Sequence, residues 1–174
     1  ARPIYTSEKA YWLGVLYADG NVSKKGTMSG VVIFTSKDKE WVKSFLSAVS
    51  STDSPRREFH KKYNKEIWKA FITSNKMFLD LGNLGCIPRK SLCIRFPYIE
   101  QFLIPHFIRG YFDGDGTVGV YKNLTSHNWK ILKSGFCSGS KQFLESLVKE
   151  LPTKNKSVLK RKTTQIYVLQ LSLK

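Results

Sequence analysis

The sequence predicts an α/β (α+β) protein made of two tandem repeats. A nine-residue pattern occurs twice, at Trp12–Gly20 and at Ile108–Gly116, and each copy is apolar-x-Gly-x-x-x-small-Asp-Gly. The order of helix and strand patterns after the first copy recurs after the second, which indicates an internal repeat. With 174 residues, 41% of them hydrophobic, the chain is long enough for two small halves that share one core.

Each copy of the pattern predicts a helix that ends at an acidic residue. Thr6 or Ser7 suits the N-cap of the first helix because its hydroxyl can accept a free backbone N–H. The expected last residues are Asp19 and Asp115, and the glycine after each, Gly20 or Gly116, is expected to stop the helix in a left-handed turn.

Small residues mark one face of both predicted helices. Gly14 and Ala18 are four residues apart, as are Gly110 and Gly114, so each pair lies on one side of its helix. Small residues at this spacing let two backbones approach closely. If the helices pack along these faces, their C-terminal ends meet and bring Asp19 and Asp115 together.

The rest of the first repeat alternates strand and helix patterns. The run Val31–Ser36 is β-branched and aromatic, whereas Trp41, Val42 and Phe45 have helical spacing. The predicted elements are strands at Asn21–Gly26 and Val31–Ser36, a helix at Lys39–Val49, a hairpin of Arg56–Tyr63 and Glu66–Thr73, a helix at Asn75–Leu84, and an extended segment at Cys86–Pro97.

The second repeat has the same order but ends early. Its elements are strands at Thr117–Lys122 and Lys130–Ser138, a helix at Lys141–Leu151, and a hairpin of Ser157–Thr163 and Gln165–Leu173. We therefore divide the chain into a first repeat at residues 1–97 and a second, C-terminally short repeat at residues 98–174. Either a short natural C-terminus or truncation explains the lack of a counterpart to the last helix.

The charge of the chain predicts a polyanionic partner. Lysine and arginine total 29 against 13 acids, a net charge of +16 and a pI near 9.8. Such an excess favours nucleic acid first and an anionic membrane surface second. No signal peptide or spanning segment is evident, so we expect no membrane partner. The three cysteines have no zinc or redox spacing, which predicts free thiols in an intracellular reducing compartment, in an organelle or a prokaryotic cytoplasm.

Two carboxylates at the feet of packed helices predict a cation site. Adjacent acids repel each other, and the dipole of each helix already places negative charge at its C-terminal end. A hard divalent ion with oxygen ligands resolves both problems, and Mg²⁺ fits best. The carbonyls of Ala18 and Gly114, freed at the helix ends, are further candidate ligands.

The two copies resemble the paired signature of the LAGLIDADG homing endonucleases in their single-chain, two-repeat form. The resemblance implies two αββαββ halves with the signature helices at their interface. It also implies two antiparallel sheets that form a saddle over double-stranded DNA. Asp19 and Asp115 match the acids that bind the catalytic metals, and Ala18 and Gly114 match the carbonyl ligands. The first copy departs from the pattern at Tyr17, where the family often has Asp; we interpret this position as structural.

The resemblance implies a function as well. A chain with both copies would act as a monomer and hydrolyse both strands of a long DNA target across one minor groove. Mg²⁺ is the expected cofactor, Mn²⁺ is an alternative, and Ca²⁺ is expected not to support cleavage. Lys90 matches the basic residue that orders the attacking water in this family, and a plain phosphate contact is the alternative role.

Basic residues concentrate on the predicted strands and turns. An antiparallel sheet can lay side chains into the major groove, where most lysines contact phosphates and a minority of residues read bases. The predicted DNA-binding residues are Lys24, Lys25, Arg56, Arg57, Lys61, Lys62, Lys69, Lys122, Lys130, Lys133, Lys160, Arg161 and Lys162.

Two other functions remain open from the sequence. An intron-splicing maturase or a DNA-binding regulator would keep the fold without cleavage. Asp113-x-Asp115 also resembles the nucleophile motif of haloacid-dehalogenase phosphatases, which would make Asp113 the nucleophile. That family places the motif after a strand, whereas here it lies at the end of a predicted helix.

Overall fold

The computed structural model describes residues 4–25, 29–60, 64–122, 130–152, 156–161 and 164–172. The first repeat contains α1 (Ser7–Asp19), β1 (Gly20–Lys25), β2 (Ser29–Ser36), α2 (Lys39–Ala48), β3 (Arg56–His60), β4 (Lys65–Thr73) and α3 (Asn75–Asn83). The second contains α4 (Ile104–Asp115), β5 (Gly116–Lys122), β6 (Lys130–Ser138), α5 (Lys141–Glu150), β7 (Lys156–Lys160) and β8 (Tyr167–Ser172). The predicted α+β class and the order of elements are confirmed.

Each repeat forms its own four-stranded antiparallel sheet. The strand orders are β1-β2-β4-β3 and β5-β6-β8-β7, so the two sheets have the same topology. Phe34 pairs with Ala70, and Phe136 pairs with Leu169 at the matching place. All four side chains are buried, so they mark the face of each sheet that the helices cover. We call this the covered face and the opposite one the open face.

Helices α1 and α4 pack along their small residues, as predicted. A Cβ at Gly14 would overlap the carbonyl oxygen of Phe107, and a Cβ at Gly110 would overlap that of Tyr11. The contacts are reciprocal, and they relate the two halves by an approximate twofold axis. Aromatic side chains from both repeats then join one core, in which the Tyr17 and Phe107 ring centroids are 5.1 Å apart.

The ends of the interface helices differ from the prediction. Gly20 and Gly116 are extended, with φ of −77° and −81°, so neither forms a left-handed turn. The chain passes directly from each helix into the first strand of a sheet. Glycine is required there for space, because a Cβ at Gly20 would overlap Leu16 and a Cβ at Gly116 would overlap Phe112. The N-cap prediction is confirmed at Thr6, whose hydroxyl accepts a hydrogen bond from the Lys9 N–H at 3.2 Å.

The two sheets are not covered equally. Helix α3 lies on the covered face of the first sheet, where the Phe78 side chain fills the space beside Gly30. On the corresponding face of the second sheet, Val118 and Val120 are 64% and 63% exposed, and Leu132 is 42% exposed. In the described residues no helix follows β8, so this apolar strip faces solvent.

Candidate functional site

Asp19 and Asp115 come together at the C-terminal ends of the interface helices. A Cβ at Gly114 would lie 2.9 Å from Oδ2 of Asp19, so the Asp19 carboxylate rests against the residue that precedes Asp115. Ala18 occupies the other side of the same contact. Only small residues at 18 and 114 allow this approach. We refer to Asp19 and Asp115 as the carboxylate pair.

Electrostatics at the carboxylate pair disfavour two negative charges. Burial, and after it the charge of Asp19, raise the pKa of Asp115 to about 6. The Tyr111 hydroxyl and the Lys90 ammonium oppose this increase. Asp19 is more exposed as a residue, but desolvation of its carboxylate at the crowded helix ends still raises its pKa, again against Lys90. A cation at this place would relieve the repulsion.

Lys90 lies beside the pair and is 8% exposed, which is unusual for a lysine. Its ammonium group donates a hydrogen bond to the carbonyl oxygen of Gly20. Arg89 has a left-handed backbone with φ of 55° and starts a 3₁₀ turn at Lys90–Leu92, which directs the Lys90 side chain inward. The extended segment predicted for Cys86–Pro97 is thus interrupted at this turn.

Two buried tyrosines of the interface helices donate to backbone carbonyls. Tyr111 is 1% exposed, and its hydroxyl donates to the carbonyl oxygen of Cys137 at 2.7 Å. Tyr17 is 2% exposed and donates to the carbonyl oxygen of Leu84, which supports the structural role predicted for it. The sequence gives no sign of the polar role of Tyr111, because a tyrosine at helical spacing is typical of a core.

The oxygen atoms at the carboxylate pair fit a hard divalent ion that also retains water molecules as ligands. Across the described residues, no three His, Cys, Asp or Glu side chains cluster as a metal site. Two carboxylates with nearby helix-end carbonyls therefore make an incomplete oxygen cage. Mg²⁺ is commonly held by one or two carboxylates, with water and substrate phosphates as its other ligands.

Solved structures that resemble this chain include homing endonucleases bound to DNA. I-WcaI bound to its DNA recognition sequence superposes with a TM-score of 0.64 at 16% identity, over 99% of this chain and 78% of that one. I-SmaMI bound to uncleaved DNA with calcium ions has a TM-score of 0.63 at 14% identity, over 98% and 80%. The LAGLIDADG homing endonuclease I-LtrWI bound to target DNA has a TM-score of 0.60 at 12% identity, over 96% and 78%. This chain has the LAGLIDADG homing endonuclease fold. No family model matches the sequence, and no curated protein is similar to it in sequence.

The fold excludes the phosphatase interpretation. Asp113 and Asp115 lie on α4 of a LAGLIDADG fold, and neither follows a strand of a parallel sheet. Asp113 is exposed, and its carboxylate accepts a hydrogen bond from the Tyr11 hydroxyl at 2.9 Å. Asp113 therefore joins the two interface helices.

In the LAGLIDADG fold the strand register separates the predicted DNA-binding residues into two groups. Arg56 and Lys69 pair with each other on the open face of the first sheet. Lys133 lies on the open face of the second, and Arg161 reaches that face, where its guanidinium is 3.6 Å from Sγ of Cys137. The second group points to the covered side by register, although Lys160 also lines a groove on the open face of the second sheet: Lys24, Arg57, Lys130 and Lys160.

Local contacts hold two members of the second group, Lys24 and Arg57, on the covered side. The Lys24 ammonium lies 5.8 Å from the centre of the Phe78 ring of α3, and Arg57 forms a 2.5 Å ion pair with Glu66. By register Lys24 and Arg57 point away from the open faces, and their contact with DNA stays a prediction. Lys61, Lys62 and Lys162 lie outside the described residues, as do the side chains of Lys25 and Lys122.

The open faces also carry acidic, aromatic and uncharged polar side chains, which the excess of basic residues does not predict. Glu58 forms a 2.5 Å ion pair with Lys69, and the Arg56 guanidinium is 5.1 Å from the centre of the Phe71 ring. On the second sheet, a groove of about 510 Å³ is lined by residues that include Thr117, Lys133, Arg161 and Gln170. Cations, a carboxylate and amide or hydroxyl groups are therefore mixed on these faces. In the described part of the chain, no helix is both long and apolar enough to span a membrane.

Proposed function

We propose that this chain is a divalent-metal-dependent endonuclease that hydrolyses both strands of a long double-stranded DNA target. The observation that carries the proposal is the carboxylate pair, which is held where two glycine-faced helices end. Asp19 immediately precedes β1 and Asp115 immediately precedes β5. Both strands are edge strands of their sheets, so each sheet begins directly at one acid of the pair.

Asp19 and Asp115 are the proposed metal ligands, with the carbonyl oxygens of Ala18 and Gly114 beside them. A bound Mg²⁺ would activate water and stabilise negative charge on the phosphate and the leaving oxygen. The raised pKa of Asp115 shows that the protein alone does not stabilise its charge well. The I-SmaMI structure with calcium ions supports a divalent ion in this fold, and Mn²⁺ is an expected substitute for Mg²⁺.

Lys90 is the proposed basic residue of the reaction. Its buried ammonium group is fixed by the Gly20 carbonyl and is close enough to lower the pKa of both acids. An ammonium held at this place can orient a water molecule or stabilise charge that develops on a phosphate oxygen. A lysine bound only to phosphate would more often be exposed and mobile, so its burial favours the first role.

The open faces of the sheets are the proposed DNA-binding surface. The chain has a net charge of +16, and Arg56, Lys65, Lys69 and Lys133 lie on these faces by register. I-WcaI, I-SmaMI and I-LtrWI, which share the fold, are bound to DNA in their structures. One chain supplies both acids and both sheets, so we propose that the protein acts as a monomer.

The decisive experiment selects cleaved sites from a randomised duplex library with Mg²⁺ and then repeats the assay with variants. Asp19→Asn and Asp115→Asn are expected to abolish cleavage but to retain DNA binding in Ca²⁺. Asp113→Asn is the matched control, because Asp113 is on the same helix outside the pair, and it is expected to cut. Cleavage by both pair variants would refute the proposal. Binding without cleavage by the wild type would indicate a maturase or a regulator.

A further inference from the structure

Glu58 is an acid on the proposed DNA-binding surface. Among the described strand residues, Glu58 and Glu66 are the only acids. Glu66 points to the covered side with Arg57, whereas Glu58 lies on the open face of the first sheet by register. A carboxylate repels the phosphates of DNA, so Glu58 weakens the general attraction that the basic residues provide. Phosphate binding therefore does not explain this acid.

Glu58 is held in an ion pair with Lys69 of the neighbouring strand. Oε2 of Glu58 is 2.5 Å from Nζ of Lys69, and the two side chains are 52% and 30% exposed. A carboxylate has roughly four acceptor positions and an ammonium group three donors, so this contact uses a small part of their capacity. Exposed ion pairs contribute little to stability, so folding alone does not account for the pair.

An acceptor beside a donor complements the major-groove edge of a G·C base pair. Guanine presents the acceptors O6 and N7, which lysine binds, and cytosine presents the N4 amino group, from which glutamate accepts. In an A·T pair the single donor, adenine N6, lies between two acceptors, N7 and thymine O4. A carboxylate directed at that donor also approaches an acceptor. The Glu58–Lys69 pair therefore fits G·C better than A·T.

The second sheet has no such pair at the equivalent place. By register Val168 stands where the first sheet has Lys69, and Arg161 follows β7 at the position that Glu58 takes in β3. A valine and an arginine side chain supply no acceptor. The second sheet therefore cannot contact cytosine N4 from this position, and the two halves differ in chemistry at the same distance from the carboxylate pair.

We propose that Glu58 and Lys69 are specificity-determining residues that together recognise one G·C base pair in the half of the target bound by the first sheet. Glu58 accepts a hydrogen bond from the cytosine amino group, and Lys69 donates to the guanine acceptors. The inference rests on the proposed function, because it assumes that the open face of the sheet enters the major groove of DNA.

The test compares Glu58→Gln with Glu66→Gln. Glu66 is a matched control, because it also forms a 2.5 Å ion pair between β3 and β4, with Arg57, but on the covered side. Both changes keep the size of the side chain, so we expect folded proteins, which near-UV circular dichroism checks. Duplexes are selected from a randomised library by binding in Ca²⁺, without cleavage. Fluorescence anisotropy then gives the affinity for all four base pairs at each selected position.

We expect the wild type to prefer G·C at one base pair that Glu58→Gln and Lys69→Met both affect. Each variant should reduce that preference by about tenfold, whereas Glu66→Gln should keep it. Glu58→Gln should also bind every sequence more tightly, since it removes a negative charge from the surface. A uniform gain in affinity with unchanged base preference would show that Glu58 acts through charge alone, and it would overturn the inference.

Failure of the proposed function looks different in these assays. A wild type that shows the preference dependent on Glu58 in Ca²⁺ but cuts no DNA with Mg²⁺ would refute cleavage and support the inference. A wild type that does not bind duplex DNA would refute both.

Discussion

Replacing Asp115 by asparagine is expected to stabilise the metal-free protein, although it removes a proposed ligand. The pKa of Asp115 is about 6, against 3.8 for an ordinary aspartate, because the group is desolvated and faces Asp19. A gap of this size corresponds to about 3 kcal/mol of unfavourable free energy when the group is ionised. Asp115 is half-buried, so solvent screening reduces the expected gain to about 1–2 kcal/mol.

The sign of the pH dependence follows from the same shift. The folded state binds the Asp115 proton more tightly than the unfolded state. Its unfavourable contribution is thus complete above about pH 6 and disappears as the pH falls toward 4. The wild type should therefore gain stability relative to Asp115→Asn as the pH is lowered from 7 to 4.

Thermal unfolding in EDTA, from pH 4.5 to 8, measures both effects. At pH 7.5 we expect Asp115→Asn to unfold about 3–6 °C above the wild type, as about 1–2 kcal/mol implies for a chain of this size. Asp53→Asn, which removes an exposed loop carboxylate, is the control and should change little. Added Ca²⁺ should stabilise the wild type more than Asp115→Asn. A variant that is less stable than the wild type at pH 7.5, with no change in pH dependence, would refute the idea of a strained carboxylate pair.

Three further outcomes are expected. In urea unfolding, Gly14→Ala should lower the free energy of unfolding by roughly 1–3 kcal/mol or more, because its methyl group would overlap the Phe107 carbonyl. The control Gly82→Ala, whose methyl group would meet no atom within 4 Å, should raise the free energy of unfolding by about 0.5–1 kcal/mol. DNA affinity measured by fluorescence anisotropy should fall about 10³-fold or more between 50 and 200 mM salt, and a flat response would exclude phosphate contacts as the main attraction. In the same assay Arg56→Gln, on the open face, should weaken binding roughly fivefold or more, whereas Lys24→Gln, beside Phe78, should bind like the wild type.

The sequence predicted the parts of the fold that follow from repetition and periodicity. The repeated glycine pattern predicted the packing of α1 on α4, because small residues four apart allow two helix backbones to approach closely. The segments Phe34-Thr35-Ser36 and Phe136-Cys137-Ser138 occupy equivalent places in the two repeats, since Ser36 pairs with Trp68 and Ser138 pairs with Tyr167. These features need only short-range patterns.

The sequence does not determine features that depend on strand register or on contacts between distant residues. A strand residue changes face when the register moves by one position, so neighbouring cations such as Arg56 and Arg57 end on opposite sides of β3. The helix-end glycines were assigned to left-handed turns, but their role is to avoid Leu16 and Phe112 in the preceding turn. The Tyr111 hydroxyl donates to the Cys137 carbonyl of β6, a contact that helical spacing alone does not show.

The reciprocal contact of Gly14 and Gly110 has a consequence for the spacing of the two sheets. The halves meet through main-chain atoms, and main-chain geometry does not change when surface side chains are replaced. We therefore expect the separation of the two sheets to stay the same when residues on the open faces are replaced. Substitutions on the open faces can alter which bases are preferred in each half of a target, but the number of base pairs between the halves should stay the same.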